Sequence, residues 1–279
     1  MTRKRGLSEG WYPGSEAGVR RLCETWSAGY RPISGACACV APHAGWSFSG
    51  RLAWAAVGSL AGAERGELPV TVVVVGGHLP PHAGIYAASD EAYATPLGNL
   101  PADGALLEFL RARLAVRQEG EGDNSVEVQL PFVKYHFPSA SALWLRVAPS
   151  QEATALGTAL FEARRALGRT LRVVGSTDLT HYGPGYRFVP RGSGQAAVQW
   201  VTEVSDQRMI DALLSMEGEQ ALSLSASERS ACSCGAAVAA LTFARLSGVR
   251  AGSLIDHYTS YDLHPADSFV GYAGIAYLR

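Results

Sequence analysis

The strongest constraint on the fold is an alternation of short apolar runs with longer segments of helical spacing. The run PVTVVVVGG at 69–77 holds five valines and closes on two glycines, a pattern typical of a buried strand. Further strand-like runs lie at 35–41, 141–149, 170–178, 252–262 and 268–279. Helices are predicted at about 50–63, 103–116, 150–168, 205–216 and 233–247, with Asp103 and Ser150 as N-caps and Gly168 as a stop. No repeat or linker interrupts this order, so the sequence predicts one α/β domain over residues 1–279.

The composition excludes several classes of protein. The 24 basic and 25 acidic residues give a formal net charge of −1, so no strong surface field attracts nucleic acid or an anionic membrane. The start, MTRKRGLSEGWYPG, has no apolar run after its basic residues, and no apolar stretch approaches the roughly 18 residues that span a bilayer. We therefore expect a cytoplasmic protein with a small-molecule ligand and no nucleic-acid or membrane partner.

Three of the predicted strands end in residues that can bind a metal or transfer a proton. His43 follows the run at 35–41 in APHAGWSFSG, His78 follows VVVVGG, and Asp178 and His181 follow the run at 170–178. Ligands of open α/β sheets bind at the carboxyl ends of the strands, so this is where a site is expected. Taken singly, His43 is interpreted as a loop histidine that binds nothing. Asp178 and His181 could be an acid–base pair, or a helix cap beside a solvated histidine.

Five cysteines are an odd number in a poor disulfide arrangement, so thiols are expected in a reducing compartment. Cys232 and Cys234 precede an apolar helix, where the aligned backbone dipoles favour a thiolate that could bind a metal. Small apolar helices also bury cysteine as a hydrophobic residue, so both readings stay open. Cys37 and Cys39 lie within a predicted strand and are interpreted as core residues.

Two further polar residues are noted. His82 lies four residues after His78, but the two intervening prolines exclude a helical pair of ligands, so His82 is interpreted as a loop residue without a role. Glu127 is flanked by Val126 and Val128, so it either points to solvent from an alternating strand or lies buried beside the site.

Taken together and in order, these motifs resemble the Memo family. The segments that carry the resemblance are GWYPGS near residue 10, APHAGWSFSG, VGGH, YATPLGNL at 93–100, SVEVQLPF, GSTDLTHYG and SCGAA. They span about 260 residues, so the resemblance runs nearly end to end. Gly77 stands where the family usually has Ser or Asn, and EVQLP replaces a more common Glu-Met/Val-His/Gln-Leu-Pro, but neither departure removes a proposed ligand.

The resemblance implies a fold similar to that of the class III extradiol dioxygenases, with a central mixed β-sheet flanked by helices. It also implies a metal site of two histidines and one cysteine. The histidine of APHAG is His43, the histidine of VGGH is His78, and the cysteine of the Cys-Gly motif is Cys234. The family's Asp and His beyond the third strand correspond to Asp178 and His181, close to the metal.

The resemblance also implies a reaction. Extradiol-type enzymes hold Fe(II) by two histidines and a carboxylate on one face, and a thiolate would replace that carboxylate here. We therefore expect an Fe(II)-dependent, dioxygenase-like oxidoreductase that uses O₂ and a small chelating or phenolic substrate. In this hypothesis His181 is the general acid or base and Asp178 sets its orientation. Copper is the alternative metal, because two histidines and a cysteine also bind copper in electron-transfer proteins.

Other functions remain open from the sequence. One is a redox or metal-handling protein that binds iron or copper without turning over a substrate. Another is a non-catalytic adaptor that holds a peptide or a protein in the cleft. A zinc hydrolase that uses Asp178 or Glu127 as base is less favoured, because hydrolytic zinc sites rarely combine these ligands. Because prokaryotic members of the family occur beside AMMECR1-like and radical-SAM proteins, these are expected partners.

Overall fold

The computed structural model describes residues 1–29, 33–62, 69–120 and 122–279. Within these ranges the strands are β1 (Thr2–Arg3), β2 (Ala36–Ala41), β3 (Val70–Gly76), β4 (Ile85–Ala87), β5 (Ala92–Thr95), β6 (Gly98–Pro101), β7 (Val116–Gln118), β8 (Ser141–Val147), β9 (Thr170–Ser176), β10 (His181–Tyr182), β11 (Ser253–Thr259) and β12 (Phe269–Leu278). The helices are α1 (Glu16–Ala28), α2 (Arg51–Gly58), α3 (Gly104–Arg111), α4 (Asn124–Glu127), α5 (Leu130–His136), α6 (Gln151–Ala166), α7 (Gln195–Trp200), α8 (Asp206–Leu214), α9 (Gly218–Glu228), α10 (Cys234–Leu246) and α11 (Ser260–Leu263).

A mixed sheet forms the centre of the molecule. Its strand order is β10-β12-β2-β9-β3-β8-β4-β7. The strand β11 lies outside this order and also pairs with β12. The inner strands β2, β9, β3 and β8 are mutually parallel, whereas β12 runs antiparallel to β2 and β4 runs antiparallel to β8. A small separate sheet joins β1, β5 and β6. The carboxyl ends of β2, β9 and β3 therefore lie side by side at one edge of the sheet.

Apolar cores fill both faces of the central sheet, because the inner strands are apolar on both sides. Val73 and Val75 face the core that contains α6, α8 and α10, whereas Val72 and Val74 face the core that contains α1, α2 and α5. The backbone of α10 lies directly against β9: a Cβ added at Gly175 would stand 2.6 Å from the carbonyl oxygen of Ala236. This close packing fixes where α10 begins relative to the sheet.

The predicted mixed α/β architecture is confirmed, and most predicted elements occur near their expected positions. Asp103 and Ser150 accept the expected N-cap hydrogen bonds from Leu106 and Glu152. Cys37 and Cys39 are buried in β2, 3% and 0% exposed. The predicted helix at about 50–63 is shorter: a π-helical turn over Trp46–Gly50 leads into α2, which ends at Gly58, and residue 63 lies outside the described residues.

The segment SVEVQLPF departs from the strand alternative considered for it. Asp123 caps α4 by accepting the N–H of Ser125, and Pro131 lies in the first turn of α5, so the segment folds as two short helices. Within the described part of the chain, no helix is both long and apolar enough to cross a membrane.

Candidate metal centre

Three neighbouring strand ends deliver the side chains of the site. His43 lies two residues beyond β2, His78 two residues beyond β3, and Asp178 two residues beyond β9. Because β2, β9 and β3 are adjacent and parallel, their carboxyl ends converge as the sequence predicted. The fourth contribution comes from the turn that precedes α10.

His43 is held rigidly at the base of the site and is 1% exposed. Its backbone N–H donates to Oδ1 of Asp178 at 2.7 Å, and its Nδ1 lies 3.2 Å from the hydroxyl of Ser176. Gln129, buried between these strands, donates to that same hydroxyl and to the carbonyl of Pro42. The network fixes the ring so that Nε2 of His43 faces the centre of the site.

His78 also directs its Nε2 to the centre of the site, from the loop that follows β3. Its backbone is left-handed, with φ of +58°, and its N–H donates to the hydroxyl of Ser233 at 3.2 Å. Its Nδ1 lies 3.3 Å from Oδ1 of Asp123, whose other oxygen faces Nε of Arg146 at 3.4 Å. A carboxylate on the far ring nitrogen fixes the tautomer of a metal-binding histidine and strengthens it as a ligand. Asp123 therefore orients His78, a role that the sequence analysis missed.

The third member of the cluster is Cys232. Its Sγ lies 3.2 Å from Nε2 of His43, and its backbone N–H donates to the carbonyl of Asp178 at 3.2 Å. Nε2 of His43 is 3.1 Å from Nε2 of His78, and the ligand atoms of all three residues lie within 4.8 Å of one another. Cys232 is the partly exposed one of the chain's five free cysteines, whereas the other four are buried.

The structure brings Cys232 to the two histidines, whereas the sequence analysis proposed Cys234 as the third ligand. Cys234 is the first residue of α10, is 1% exposed and belongs to the core that contains α6 and α8. Burial raises the pKa of its thiol to about 12, so it stays protonated in the core. Cys232 lies in the loop before the helix, and there its side chain reaches the two histidines.

The spacing of the three ligand atoms fits a single metal ion. Metal–nitrogen bonds of about 2.0–2.1 Å and metal–sulfur bonds of about 2.3 Å, at angles of about 90–110°, separate two ligand atoms by about 2.9–3.6 Å. The observed 3.1 Å and 3.2 Å fall within that interval. Two imidazoles and a thiolate are also a donor set suited to iron, copper and zinc. The residues present therefore fit a transition metal.

The charges of the cluster favour a thiolate beside imidazolium groups. Burial raises the pKa of the Cys232 thiol, but the nearby His43 and His78 outweigh it and hold that pKa well below its usual value. Burial lowers the pKa of His78, but hydrogen bonds with Asp123 and Cys232 raise it overall to about 10. The pKa of Asp123 falls to about 2 against the effect of burial, because His78 and Ser125 hydrogen-bond to its ionised form. The thiolate that a metal requires is thus already favoured by the protein.

Asp178 and His181 lie beside this cluster, but not in the arrangement that was predicted. The chain leaves β9 extended and enters β10 at His181, instead of turning helically. His181 is oriented by the carbonyl of Leu179, 3.1 Å from its Nδ1, while Asp178 binds the backbone of His43. Even so, Asp178, His181 and Cys232 each offer an atom within 4.8 Å of the others. Burial raises the pKa of Asp178 despite the nearby His43.

Glu127 and His82 lie away from the cluster. Glu127 is 5% exposed and accepts hydrogen bonds from the backbone of Gly6 and Leu7 and from the hydroxyl of Tyr12 at 2.9–3.0 Å. Glu127 therefore anchors the amino-terminal segment. The sequence analysis had left open whether Glu127 faces solvent or lies buried beside the site. His82 is exposed in a turn.

A cavity of about 480 Å³ opens above the cluster. His43, His78, Asp178 and His181 line its base. Its walls are largely aromatic and are formed by Trp11, Phe48, Tyr186, His264 and Tyr272. Trp11 belongs to the segment that Glu127 anchors. Among the described residues, the lining includes one carboxylate, that of Asp178, and no lysine or arginine. The size suits a small ligand of low charge.

Comparison with known proteins places the chain among relatives with the same overall extent. A family model described as Memo-like protein matches residues 3–276. A MEMO1 family protein of Pyrococcus abyssi is 31% identical, with both chains covered completely. A MEMO1 family protein of Thermococcus onnurineus is 27% identical over the full length of both chains, and one of Archaeoglobus fulgidus is 31% identical over 86% of each.

Proposed function

The chain belongs to the family of Memo-like proteins, and on that premise we propose that it binds Fe(II) through His43, His78 and Cys232 and is a dioxygenase-like oxidoreductase. Its substrate is a small chelating or phenolic molecule. The observation that carries the proposal is the convergence of Nε2 of His43, Nε2 of His78 and Sγ of Cys232. His43 and His78 also line the aromatic-walled cavity, which gives a substrate access to the cluster.

The protein positions all three ligand atoms before any metal arrives, and metal binding would displace the protons of the imidazolium groups. Ser176 holds Nδ1 of His43 and Asp123 holds Nδ1 of His78, so both imidazoles direct Nε2 to the same point. Such partners of the ligating residues typically contribute about 10–100-fold to metal affinity. A ferrous ion on one face of three ligands would supply open positions at which dioxygen and a chelating substrate can react.

His181 is the residue placed to move a proton. Its Nδ1–H donates to the carbonyl of Leu179, which leaves Nε2 as the acceptor in the neutral ring. The ring lies at the edge of the cavity and contacts Tyr186 edge-on, with ring centroids 4.9 Å apart. Nε2 of His181 can therefore take the proton of a substrate hydroxyl and return it to the product. Asp178 positions the backbone of His43 and offers a carboxylate oxygen within 4.8 Å of a ring nitrogen of His181.

A metal-handling protein that binds copper is the second candidate, because the same donor set occurs in copper electron-transfer sites. Such sites add a weak axial ligand, often methionine. Met209 and Met216 are buried in the core beside α8, and Met1 is exposed, so none of the chain's three methionines lies in the cavity lining. The open aromatic cavity above the cluster favours a bound substrate instead.

The first test is the metal content of protein purified without oxygen, compared between Cys232→Ala and Cys234→Ala. Each variant removes one thiol, and the two positions lie two residues apart, so the variants form a matched pair. We expect near-stoichiometric iron in the wild type and in Cys234→Ala, and loss of iron in Cys232→Ala. Iron retained by Cys232→Ala would overturn the ligand assignment, and copper in place of iron would favour the metal-handling function.

The reaction is tested by oxygen consumption with catechol-like compounds. We expect consumption by the iron-loaded wild type and its loss in His181→Gln, with iron content unchanged in that variant. Iron binding without oxygen consumption across the series would refute the dioxygenase proposal while leaving the metal site intact.

A further inference from the structure

A second, smaller cavity reaches the same cluster from the side of Cys232. It has a volume of about 380 Å³ and is lined by His78, His181, Tyr186, Ser225, Arg229, Ala231 and Cys232. We name it the cysteine-side cavity, and the one above the cluster the large cavity. His78, His181 and Tyr186 line both, whereas Cys232 lines only the smaller one and His43 only the larger one. The cluster is therefore approached through two compartments.

The two compartments differ in charge. Among the described residues, Arg229 is the only arginine or lysine that lines either cavity, and it lines the cysteine-side cavity. Asp178, the one carboxylate, lines the large cavity alone. A guanidinium without a facing carboxylate attracts anions and matches the two oxygens of a carboxylate. The cysteine-side cavity therefore offers an anion a guanidinium that the large cavity lacks, beside the sulfur of Cys232.

Arg229 is an exposed residue whose guanidinium contacts two neighbours. Its Nη1 donates to the carbonyl of Arg187 at 3.4 Å, and its guanidinium lies 5.2 Å from the ring centroid of Phe188. In the described part of the chain, Arg187 is the residue that accepts a hydrogen bond from this side chain, so further donors remain for a ligand. The hydroxyl of Ser225 donates to the carbonyl of Ala231 at 3.0 Å, so this donor is already engaged.

Unusual backbone conformations gather around this cavity. Four non-glycine residues in the described ranges have positive φ: His78, Arg187, Met216 and Arg229. His78 and Arg229 line the cavity, and the carbonyl of Arg187 binds Arg229. Arg187 and Arg229 end helical turns in this conformation, and His78 adopts it at the turn after β3. Sharp turns of the backbone therefore bring all three residues to the cavity or next to it.

From this arrangement we propose that the cysteine-side cavity is a second ligand-binding site, which takes a small organic carboxylate on Arg229 and brings it beside Sγ of Cys232. Arg229 is the one arginine or lysine in the described lining, and its fork of donors matches the two oxygens of a single carboxylate. This site goes beyond the proposed function, because it requires no metal.

The test measures alkylation of Cys232 in full-length protein freed of metal with EDTA, using iodoacetate and iodoacetamide as probes. In both reactions the Cys232 thiolate forms a bond to the probe's CH₂ carbon and iodide leaves. The reagents differ in their carboxylate, so the ratio of their rates reports on anion binding. A change in the thiolate fraction alters both rates equally and cancels in the ratio. The other four cysteines are buried, so the reaction is selective.

We expect the iodoacetate-to-iodoacetamide rate ratio to fall about fivefold in Arg229→Gln, the effect of about 1 kcal/mol from one nearby charge. Arg229→Lys should preserve the ratio. Arg245→Gln, which removes the same charge from the exposed far end of α10, should also preserve it. An unchanged ratio in Arg229→Gln, or an equal fall in Arg245→Gln, would overturn the proposal.

The route by which the reagents reach Cys232 is tested with substitutions that narrow each cavity. Ala231→Val in the cysteine-side cavity should slow both reagents, and Ala266→Val in the large cavity should slow neither. The reverse pattern would show that Cys232 is reached from the large cavity and would refute the second site. Neither measurement depends on metal. A negative result would therefore refute the second site and would leave the proposed iron chemistry untouched.

Discussion

Acid should destabilise this protein through His136, a partly buried histidine at the end of α5. Its Nε2–H donates to the carbonyl of Trp54 at 3.2 Å, and its ring fills the space beside Gly58, where an added Cβ would lie 2.9 Å from the imidazole Cε1. Burial lowers its pKa to about 4, although the bond to Trp54 raises it in part. The folded protein therefore keeps His136 neutral at pH values at which an unfolded histidine is charged.

The sign and size of the effect follow from proton linkage. Because the folded pKa lies below the unfolded value of about 6.5, the stabilisation is complete above pH 6.5 and is lost as pH falls toward 4. Each pH unit in that window removes about 1.4 kcal/mol, so the free energy of unfolding should fall by about 2 kcal/mol between pH 6.5 and pH 5.

Urea unfolding at pH 7.5, 6.5, 5.5 and 5.0 measures this loss in the wild type and in His136→Gln. The glutamine retains an N–H donor for the carbonyl of Trp54 but does not titrate. Other acidic groups contribute equally to both proteins, so the difference between the two curves isolates His136. We expect the variant to lose about 2 kcal/mol less between pH 6.5 and pH 5. Parallel curves would refute the argument.

Two further changes test the residues that support the site. Asp123→Asn should weaken iron binding by about 10–100-fold without unfolding the protein, because it removes the charge that orients His78; chelator competition measures this, and an unchanged affinity would contradict the role of Asp123. Glu127→Gln should lower the free energy of unfolding by about 1–3 kcal/mol, because one amide oxygen cannot serve three donors. It should also speed tryptic cleavage after Arg5, and a stability and cleavage rate like those of the wild type would count against the anchor.

The sheet and three of its functional strand ends could be predicted from the sequence because they depend on local patterns. Five valines and two glycines mark β3, and a polar residue two positions beyond each parallel strand must lie near its neighbours. The prediction thus brought His43, His78 and Asp178 together without any knowledge of their distances. The segment that contains Glu127 was harder, because alternation over a few residues does not distinguish a strand from two short capped helices.

Residues that lie close to the site in space but far from it in the sequence could not be predicted in this way. Asp123 lies 45 positions along the chain from His78, and Arg229 is separated from it by 151 positions. Neither position carries a local signal of function, since an aspartate before a helix is ordinarily a cap and an arginine after one is ordinarily solvated. Asp123 does in fact cap α4 through its contact with Ser125, while it also faces His78. The structure alone reveals the second contact.

The choice between Cys232 and Cys234 shows how a difference of two residues reverses the chemistry of a thiol. Because α10 packs its backbone against β9 at Gly175, the side chains of its first turn are forced into the apolar core, and Cys234 is among them. Cys232 comes before the helical geometry begins, and its backbone follows Asp178 through an N–H to carbonyl hydrogen bond. One thiol is therefore protonated among apolar side chains, while the other lies as a thiolate against two imidazoles. The Cys-Gly motif marks where the helix starts, whereas the loop before it still touches the strand ends, so the structure brings Cys232 and not Cys234 to the two histidines.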